Sequence, residues 1–191
     1  IFDFFDGWFA RKLKSGSNFG AELDSLSDFV SFGVAPSVLI YLWSTHSLGS
    51  LGWGATLFFV ICSALRLARF TADIYITNKP IDNNEYFVGL PSPAAAGLIL
   101  LPLFIFFEFN FNFLKNEFLN LFITIIIGFM MISKIPTISL KKLNINKKYK
   151  TWIFLIFVFV SVALISKIWL TLVTVFGLYL LSIVYTIIKS R

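Results

Sequence analysis

Long apolar segments alternate with short polar ones along this chain, and the apolar segments have the length of membrane-spanning helices. They run from about 14 to about 25 residues, whereas a helix needs roughly 20 apolar residues to cross a bilayer core of about 30 Å. The two shortest need flanking residues to complete the crossing. We therefore predict an all-α, polytopic transmembrane bundle with six spans: 19–43, 51–70, 91–107, 118–132, 152–165 and 168–188.

Residues 1–12 are predicted to be the end of a further helix. The segment is apolar, yet the sequence begins at Ile1, without an initiator methionine. We expect the beginning of this helix to be missing from the sequence. The whole of 1–191 is then one membrane domain with a truncated N-terminal span.

Composition agrees with this topology and excludes a soluble domain, a disulfide-linked fold and a zinc site built on cysteines. Of the 191 residues 58% are apolar and 14% are charged, whereas a soluble domain has about 25% charged residues. Lipid has to cover so much apolar surface. The single cysteine, Cys62, excludes a disulfide within the chain and a zinc site built on cysteines.

The basic residues are distributed unevenly between the two ends of the predicted spans. If the loop after residue 12 is cytoplasmic, fourteen of the sixteen lysines and arginines fall on that side. Such a bias marks the cytoplasmic face of a multi-pass protein in the cell inner or plasma membrane. The net charge of +6 is therefore assigned to cytoplasmic loops, and we expect membrane lipid, not nucleic acid, as the partner.

Acidic side chains are concentrated in the first 28 residues, inside otherwise apolar segments. Acids are costly in membrane spans and usually have a function there. Asp3 and Asp6 lie three residues apart, and Gly20, Asp24 and Asp28 follow at intervals of four, so each set shares one helix face. Two antiparallel helices can turn these faces toward each other and gather four carboxylates at the cytoplasmic end.

Four carboxylates in apolar surroundings repel one another unless cations neutralise them. Ligands that are all oxygen select a hard ion. We predict two Mg²⁺ or Mn²⁺ ions, held by Asp3, Asp6, Asp24 and Asp28.

Small residues and one arginine accompany these acids. They leave room for a ligand, and the arginine can hold a diphosphate through paired hydrogen bonds. Salt bridges to the basic residues of 11–14 are the alternative role for the acids, but they do not account for four acids on two matched faces. The residues of the predicted pocket are Gly7, Ala10, Arg11 and Gly20.

Residues 3–28 contain the pattern D-x2-D-G-x2-A-R-x8-G-x3-D-x3-D. This pattern resembles the signature of the CDP-alcohol phosphatidyltransferase family. The resemblance implies a membrane-embedded transferase that moves a phosphatidyl-type group from a CDP-activated lipid to an alcohol. Its eight fixed positions are Asp3, Asp6, Gly7, Ala10, Arg11, Gly20, Asp24 and Asp28.

The resemblance also assigns roles within the signature. It implies that the first three acids bind metal, and that Asp28 lies close to the metal and is the base that activates the hydroxyl of the acceptor alcohol. It implies that the small residues and Arg11 line the CDP pocket. Members of the family are commonly homodimers, so the resemblance implies a homodimer here as well.

Three later segments resemble the serine-accepting members of this family: 27–36 (SDFVSFGVAP), 66–70 (RLARF) and 89–97 (GLPSPAAAG). They imply CDP-diacylglycerol as donor, L-serine as acceptor, and phosphatidylserine and CMP as products. The resemblance weakens after about Ile138. We therefore expect 1–138 to be the catalytic part and 139–191 to be a basic loop followed by two spans.

Four residues in or near these segments are candidates to contact the acceptor alcohol or a lipid phosphate. Arg66 and Arg69 are three residues apart at the cytoplasmic end of the second span. They could hold the carboxylate of serine or a lipid phosphate, or they could only set the topology. Ser31 and Ser92 are candidates from position alone.

The run of prolines and small residues at 91–97 also has a packing role. Pro91 and Pro93 suit a helix start, where a missing N–H costs nothing. The small side chains of 94–97 suit close contact between helices.

Two other functions remain open at this point. A transferase of the same family could use glycerol 3-phosphate or inositol phosphate as acceptor, or an archaeal CDP-lipid as donor. A cation transporter or channel could also use an acid cluster, but it does not account for the glycines, Ala10 and Arg11 at fixed spacing.

Overall fold

The computed structural model describes residues 18–76, 86–133, 136–138 and 147–189. Helices dominate these residues, as the apolar pattern predicts. The elements in chain order are α1 (Asn18–Phe29), a π-helical segment (Val30–Val34), α2 (Ala35–Trp43), a 3-10 turn (Thr45–Leu48), α3 (Ser50–Ile76), β1 (Tyr86–Val88), α4 (Ser92–Phe109), a 3-10 turn (Asn112–Lys115), α5 (Glu117–Ile132), β2 (Pro136–Ile138), α6 (Lys147–Ser166) and α7 (Ile168–Lys189).

The prediction of a helical membrane bundle is confirmed. The described stretches that are long and apolar enough to cross a membrane are Leu23–Trp43, Ser50–Arg69 and Ser92–Phe109. Two shorter apolar stretches accompany them, α5 and Ile168–Ile183 of α7. Large apolar side chains also point away from the protein, among them Phe159, 74% exposed, and Ile165, 88% exposed. Such a surface requires lipid around it.

Two of the predicted span boundaries differ from the helix ends by five residues or more. Helix α3 continues to Ile76, six residues beyond the predicted end, and α6 begins at Lys147, five residues before the predicted start. The apolar pattern indicates where a helix leaves the hydrocarbon. A helix can continue into water, because its backbone hydrogen bonds are internal.

Helix α4 lies at the centre of the described bundle because it is apolar on all sides. A helix without a polar face belongs in an interior, and α4 packs against α2, α5 and α7. At its far end, Phe107 stacks on Trp169 of α7 with ring centroids 4.8 Å apart. Its buried side chains include Ala95, Leu98, Ile99 and Leu103.

Helices α4 and α7 run antiparallel and touch most closely at a glycine. A Cβ atom on Gly97 would overlap the ring of Phe176. Ala95 and Ala96 are buried beside this contact. The predicted close helix contact at 94–97 is therefore confirmed, and so is the helix start at the two prolines, since α4 begins at Ser92.

A π-helical segment separates α1 from α2 within the first predicted span. The N–H of Ala35 bonds to the carbonyl of Val30, five residues back. Pro36 follows at once, and in a regular α-helix its ring would crowd the carbonyl four residues earlier. The Ser37 hydroxyl shares its one proton between two carbonyl oxygens of the segment, at 3.0 and 2.9 Å. The wider π-helical turn and the hydrogen bond of Ser37 allow the helix to continue through Pro36.

Two short strands join the loops before α4 and after α5, a feature absent from the all-α prediction. They pair antiparallel, with Tyr86 opposite Ile138. Gly89 follows β1 with a φ of +83°. A Cβ atom there would lie 2.8 Å from the carbonyl oxygen of Met131. The turn from β1 into α4 therefore requires glycine.

We expect Gly97→Ala to lower the stability of the bundle, because the added methyl group forces α4 and α7 apart. Overpacking of this kind costs about 1–3 kcal/mol, which thermal unfolding of the detergent-purified protein would measure. Adding Phe176→Leu should recover part of the loss. Gly177→Ala on α7 is the control, because no atom lies within 4 Å of its Cβ position. An unfolding temperature equal to that of the wild type for Gly97→Ala would contradict the contact.

Candidate active site

Three of the predicted site residues lie on one face of α1. Gly20, Asp24 and Asp28 follow one another at single helical turns, and all three are exposed. Carboxylates one turn apart can reach the same hard cation, so the donor chemistry of Asp24 and Asp28 fits the predicted metal site. The other predicted members of this site lie outside the described residues: Asp3, Asp6, Gly7, Ala10 and Arg11.

Within the described ranges, no group of three or more Asp, Glu, His or Cys side chains could hold a metal ion by itself. Of the four predicted metal ligands, Asp24 and Asp28 belong to the described part of the chain, and the prediction for Asp3 and Asp6 lies outside it.

The helix that carries these acids crosses α3 at a close contact between Gly33 and Ser63. A Cβ atom on Gly33 would lie 2.6 Å from the Ser63 hydroxyl oxygen, so a larger residue does not fit there without a shift. The two spans are antiparallel neighbours, since Tyr41 and Trp53 meet across the turn between them with ring centroids 5.2 Å apart. The crossing therefore fixes the position of the acid-bearing helix against α3.

This crossing places Asp28 and Arg66 at the same end of the bundle. Asp28 lies five residues before Gly33, and Arg66 lies three residues after Ser63. At a helical rise of 1.5 Å per residue, these separations correspond to about 7.5 Å and about 4.5 Å along the two axes. Since the helices are antiparallel, the carboxylate and the guanidinium project from neighbouring helices at similar depth.

Arg66 and Ser92 are joined across α3 and α4. The Nη1 of Arg66 donates a hydrogen bond to the Oγ of Ser92 at 3.0 Å. Ser92 is the first residue of α4, and the N-cap residue before it, Pro91, provides no side-chain cap. The Nε of Arg66 is buried, and it has no hydrogen-bond partner among the residues that the structure describes. A guanidinium beside a helix N-terminus suits an anionic ligand.

The other two predicted contacts to the acceptor alcohol are placed differently. Arg69 lies one turn beyond Arg66 and is exposed, and Ser31 is exposed within the π-helical segment. Among the four candidates, the hydrogen bonds of the described residues link only Arg66 and Ser92.

Tyr179 on α7 belongs to the same region, although the sequence did not single it out. It packs against the buried core, and it lies on the same side of the contact between Gly97 and Phe176 as Ser92 does. Its hydroxyl oxygen is buried without a hydrogen-bond partner in the described part of the chain. In the sequence, a single tyrosine in an apolar span is equally typical of a membrane interface. Its place near the candidate site is seen only once α7 is packed on α4.

Comparison with known proteins connects this site to a family. The chain matches the model of the CDP-alcohol phosphatidyltransferase family over residues 1–132, which includes α1 to α5. It is 36% identical over 192 residues to a protein of Helicobacter pylori named CDP-diacylglycerol–serine O-phosphatidyltransferase, covering 99% of this chain and 75% of that protein.

Two further relatives carry the same name. The protein of Bacillus subtilis is 39% identical over 140 residues, which are 73% of this chain and 70% of the relative. The protein of Methanocaldococcus jannaschii is 41% identical over 135 residues, which are 71% of this chain and 57% of the relative. The similarity thus extends to relatives from bacteria and from an archaeal species.

We expect Gly33→Ala to reduce the enzymatic rate, because the methyl group pushes the acid-bearing helix away from α3. A displacement of about 1 Å at a reacting group can cost about a hundredfold in rate. The measurement is the consumption of a CDP-activated lipid by the purified variant. Adding Ser63→Gly should restore much of the rate, and Gly54→Ala on α3 is the control, since its Cβ position is open. A fully active Gly33→Ala protein would show that the crossing does not position the acids.

Proposed function

The chain belongs to the CDP-alcohol phosphatidyltransferase family, and we propose that it transfers the phosphatidyl group of CDP-diacylglycerol to the hydroxyl of L-serine. The products are phosphatidylserine and CMP. The proposal that serine is the acceptor is supported by the Arg66–Ser92 pair. This pair lies at the depth of Asp28 and has hydrogen-bond donors for an anion. Serine has a carboxylate, which suits the Arg66–Ser92 pair, beside a reacting hydroxyl, which suits Asp28.

The donor is proposed to bind at the signature residues. Asp3, Asp6, Asp24 and Asp28 would hold two divalent ions, Mg²⁺ or Mn²⁺, which supply positive charge for the diphosphate and for the leaving CMP. The CDP pocket would be lined by Gly7, Ala10, Arg11 and Gly20. The exposure of Gly20 and Asp24 on α1 supports this part of the proposal, because a ligand can reach that face.

Asp28 is proposed as the catalytic base. Its carboxylate lies one turn beyond Asp24 on an exposed face of α1, where a substrate hydroxyl can reach it. It accepts the proton of the serine hydroxyl while the hydroxyl oxygen forms a bond to the phosphorus of the phosphatidyl group. The bond from this phosphorus to the oxygen of CMP breaks, and CMP leaves with that oxygen.

Arg66 and Ser92 are proposed to orient the acceptor alcohol. The guanidinium binds the carboxylate of serine through donors that Ser92 does not occupy, which holds the hydroxyl toward Asp28. Arg69 and Ser31 are exposed, and we propose a weaker role for them at the rim of the site, toward the serine or a lipid phosphate.

The chain is an integral membrane protein, and we propose that its active site faces the cytoplasm. The accumulation of basic residues on the side of α1 that holds the acids supports this orientation. CDP-diacylglycerol would then enter sideways from the bilayer, with its headgroup in the acidic cleft. Residues 1–138 are proposed as the catalytic part, and the protein as a homodimer.

We expect the purified protein to release CMP from CDP-diacylglycerol when serine and Mg²⁺ or Mn²⁺ are present. CMP release and labelled lipid product would be measured with serine, glycerol 3-phosphate and inositol phosphate in parallel. A product with another alcohol but none with serine would contradict serine as the acceptor. Cation flux without CMP release from any of them would instead identify a transporter.

We expect Asp28→Asn to abolish CMP release, because an amide cannot accept the proton of the serine hydroxyl. A general base typically contributes about 10²–10⁴-fold to the rate. Asp24→Asn is the matched comparison one turn away, and it should first shift the concentration of Mg²⁺ or Mn²⁺ needed for activity. The base assignment fails if Asp28→Asn keeps the wild-type rate at saturating metal.

A further inference from the structure

Two buried hydrogen-bond donors lie at the same end of the bundle and have no hydrogen-bond partners in the described part of the chain. They are the Nε of Arg66 and the hydroxyl of Tyr179. Buried donors are rarely left unpaired in proteins, and each unpaired one needs an explanation. Both belong to side chains that can donate a hydrogen bond to an anion.

Ser92 and the start of α4 add to the same location. The Ser92 Oγ accepts a hydrogen bond from Arg66, and a hydroxyl that accepts in this way still has its own proton to donate. Helix α4 has 18 residues, so the positive end of its dipole adds to the charge of Arg66. Three side chains from three helices thus supply donors.

The packing of α7 on α4 accounts for the presence of Tyr179 at this end. Phe176 meets Gly97 where the two helices touch. From that contact, Tyr179 lies three residues further along α7, and Ser92 lies five residues back along α4. Since the helices are antiparallel, both residues lie on the same side of the contact, about 4.5 Å and about 7.5 Å along the axes.

We propose that Arg66, Ser92 and Tyr179 form one oxyanion-binding pocket, in which α7 supplies a donor for the anionic group of the acceptor alcohol. This inference rests on the proposed transferase function and adds a residue to its site. Tyr179 lies beyond residue 132, where the match to the family model ends, whereas the similarity to the Helicobacter pylori protein covers 99% of the chain. The C-terminal helices would therefore contribute to the choice of acceptor.

The oxyanion has two chemical sources in this reaction. One is the carboxylate of the acceptor, and the other is a phosphate of the CDP-activated donor. Both would satisfy the same three donors, so separate Michaelis constants for serine and for CDP-diacylglycerol distinguish them. We expect the carboxylate, because the acids of α1 are already assigned to the donor through bound cations.

The test is Tyr179→Phe, which removes one hydroxyl and keeps the ring that packs against the core. We expect the KM for serine to rise about tenfold, the typical effect of losing one hydrogen bond to a charged group, with the KM for CDP-diacylglycerol and the kcat little changed. Use of 2-aminoethanol, which lacks the carboxylate, should be unaffected by the substitution. Tyr185→Phe is the matched control, since Tyr185 lies on the same helix and is 62% exposed.

The outcomes separate the pocket from the function. A rise in the KM for CDP-diacylglycerol alone supports the pocket but assigns it to the donor phosphate. Unchanged constants for both substrates overturn the pocket, and so does an equal loss with serine and 2-aminoethanol together with a lower unfolding temperature. If the wild type uses glycerol 3-phosphate or inositol phosphate instead of serine, the proposed acceptor fails. The same comparison with that phosphorylated acceptor then supports or overturns the pocket.

Discussion

A polar group inside an apolar bundle has to find its partner within the protein or in a ligand, and this requirement governs the structure. Asn120 shows the first solution, at the end of the bundle away from the acids. Its side-chain amide nitrogen donates to the Ser44 hydroxyl at 2.9 Å and to two backbone carbonyls, whereas its own oxygen has no partner among the described residues. At the acid end, the unpaired buried atoms of the described residues are donors, on Arg66 and Tyr179. The Asn120 cluster is therefore structural, whereas the unpaired donors on Arg66 and Tyr179 suit an anion.

Close backbone approach positions the groups that need a ligand. Gly33 lets the acid-bearing span touch α3, and Gly97 lets α7 touch α4. Each contact fixes one chemical group against another, the first for Asp28 and the second for Tyr179. Helix packing therefore positions the described candidate residues, and the Gly89 turn leads from β1 into α4.

Much of the fold could be predicted from the sequence because the bilayer imposes simple rules. Apolar length gave the helices, and the spacing of Gly20, Asp24 and Asp28 gave one face of α1. The π-helical segment and the strand pair were not predicted. The first depends on how the backbone relieves Pro36, and the second joins residues about 50 positions apart. Tyr179 was missed for a similar reason, since its position depends on which face of α7 meets α4, and the helix is apolar on several faces.

The strand β1 is synthesised well before β2, the strand with which it pairs. About 50 residues separate the two strands, so at a synthesis rate of about 5–20 residues per second β1 waits roughly 2–10 s for its partner. During that interval α4 and α5 are synthesised, and β1 has no strand to pair with. Tyr179 follows about 40 residues after β2. The residues that complete the end of the bundle around Arg66 and Ser92 are thus synthesised late, well after the residues that carry the acids.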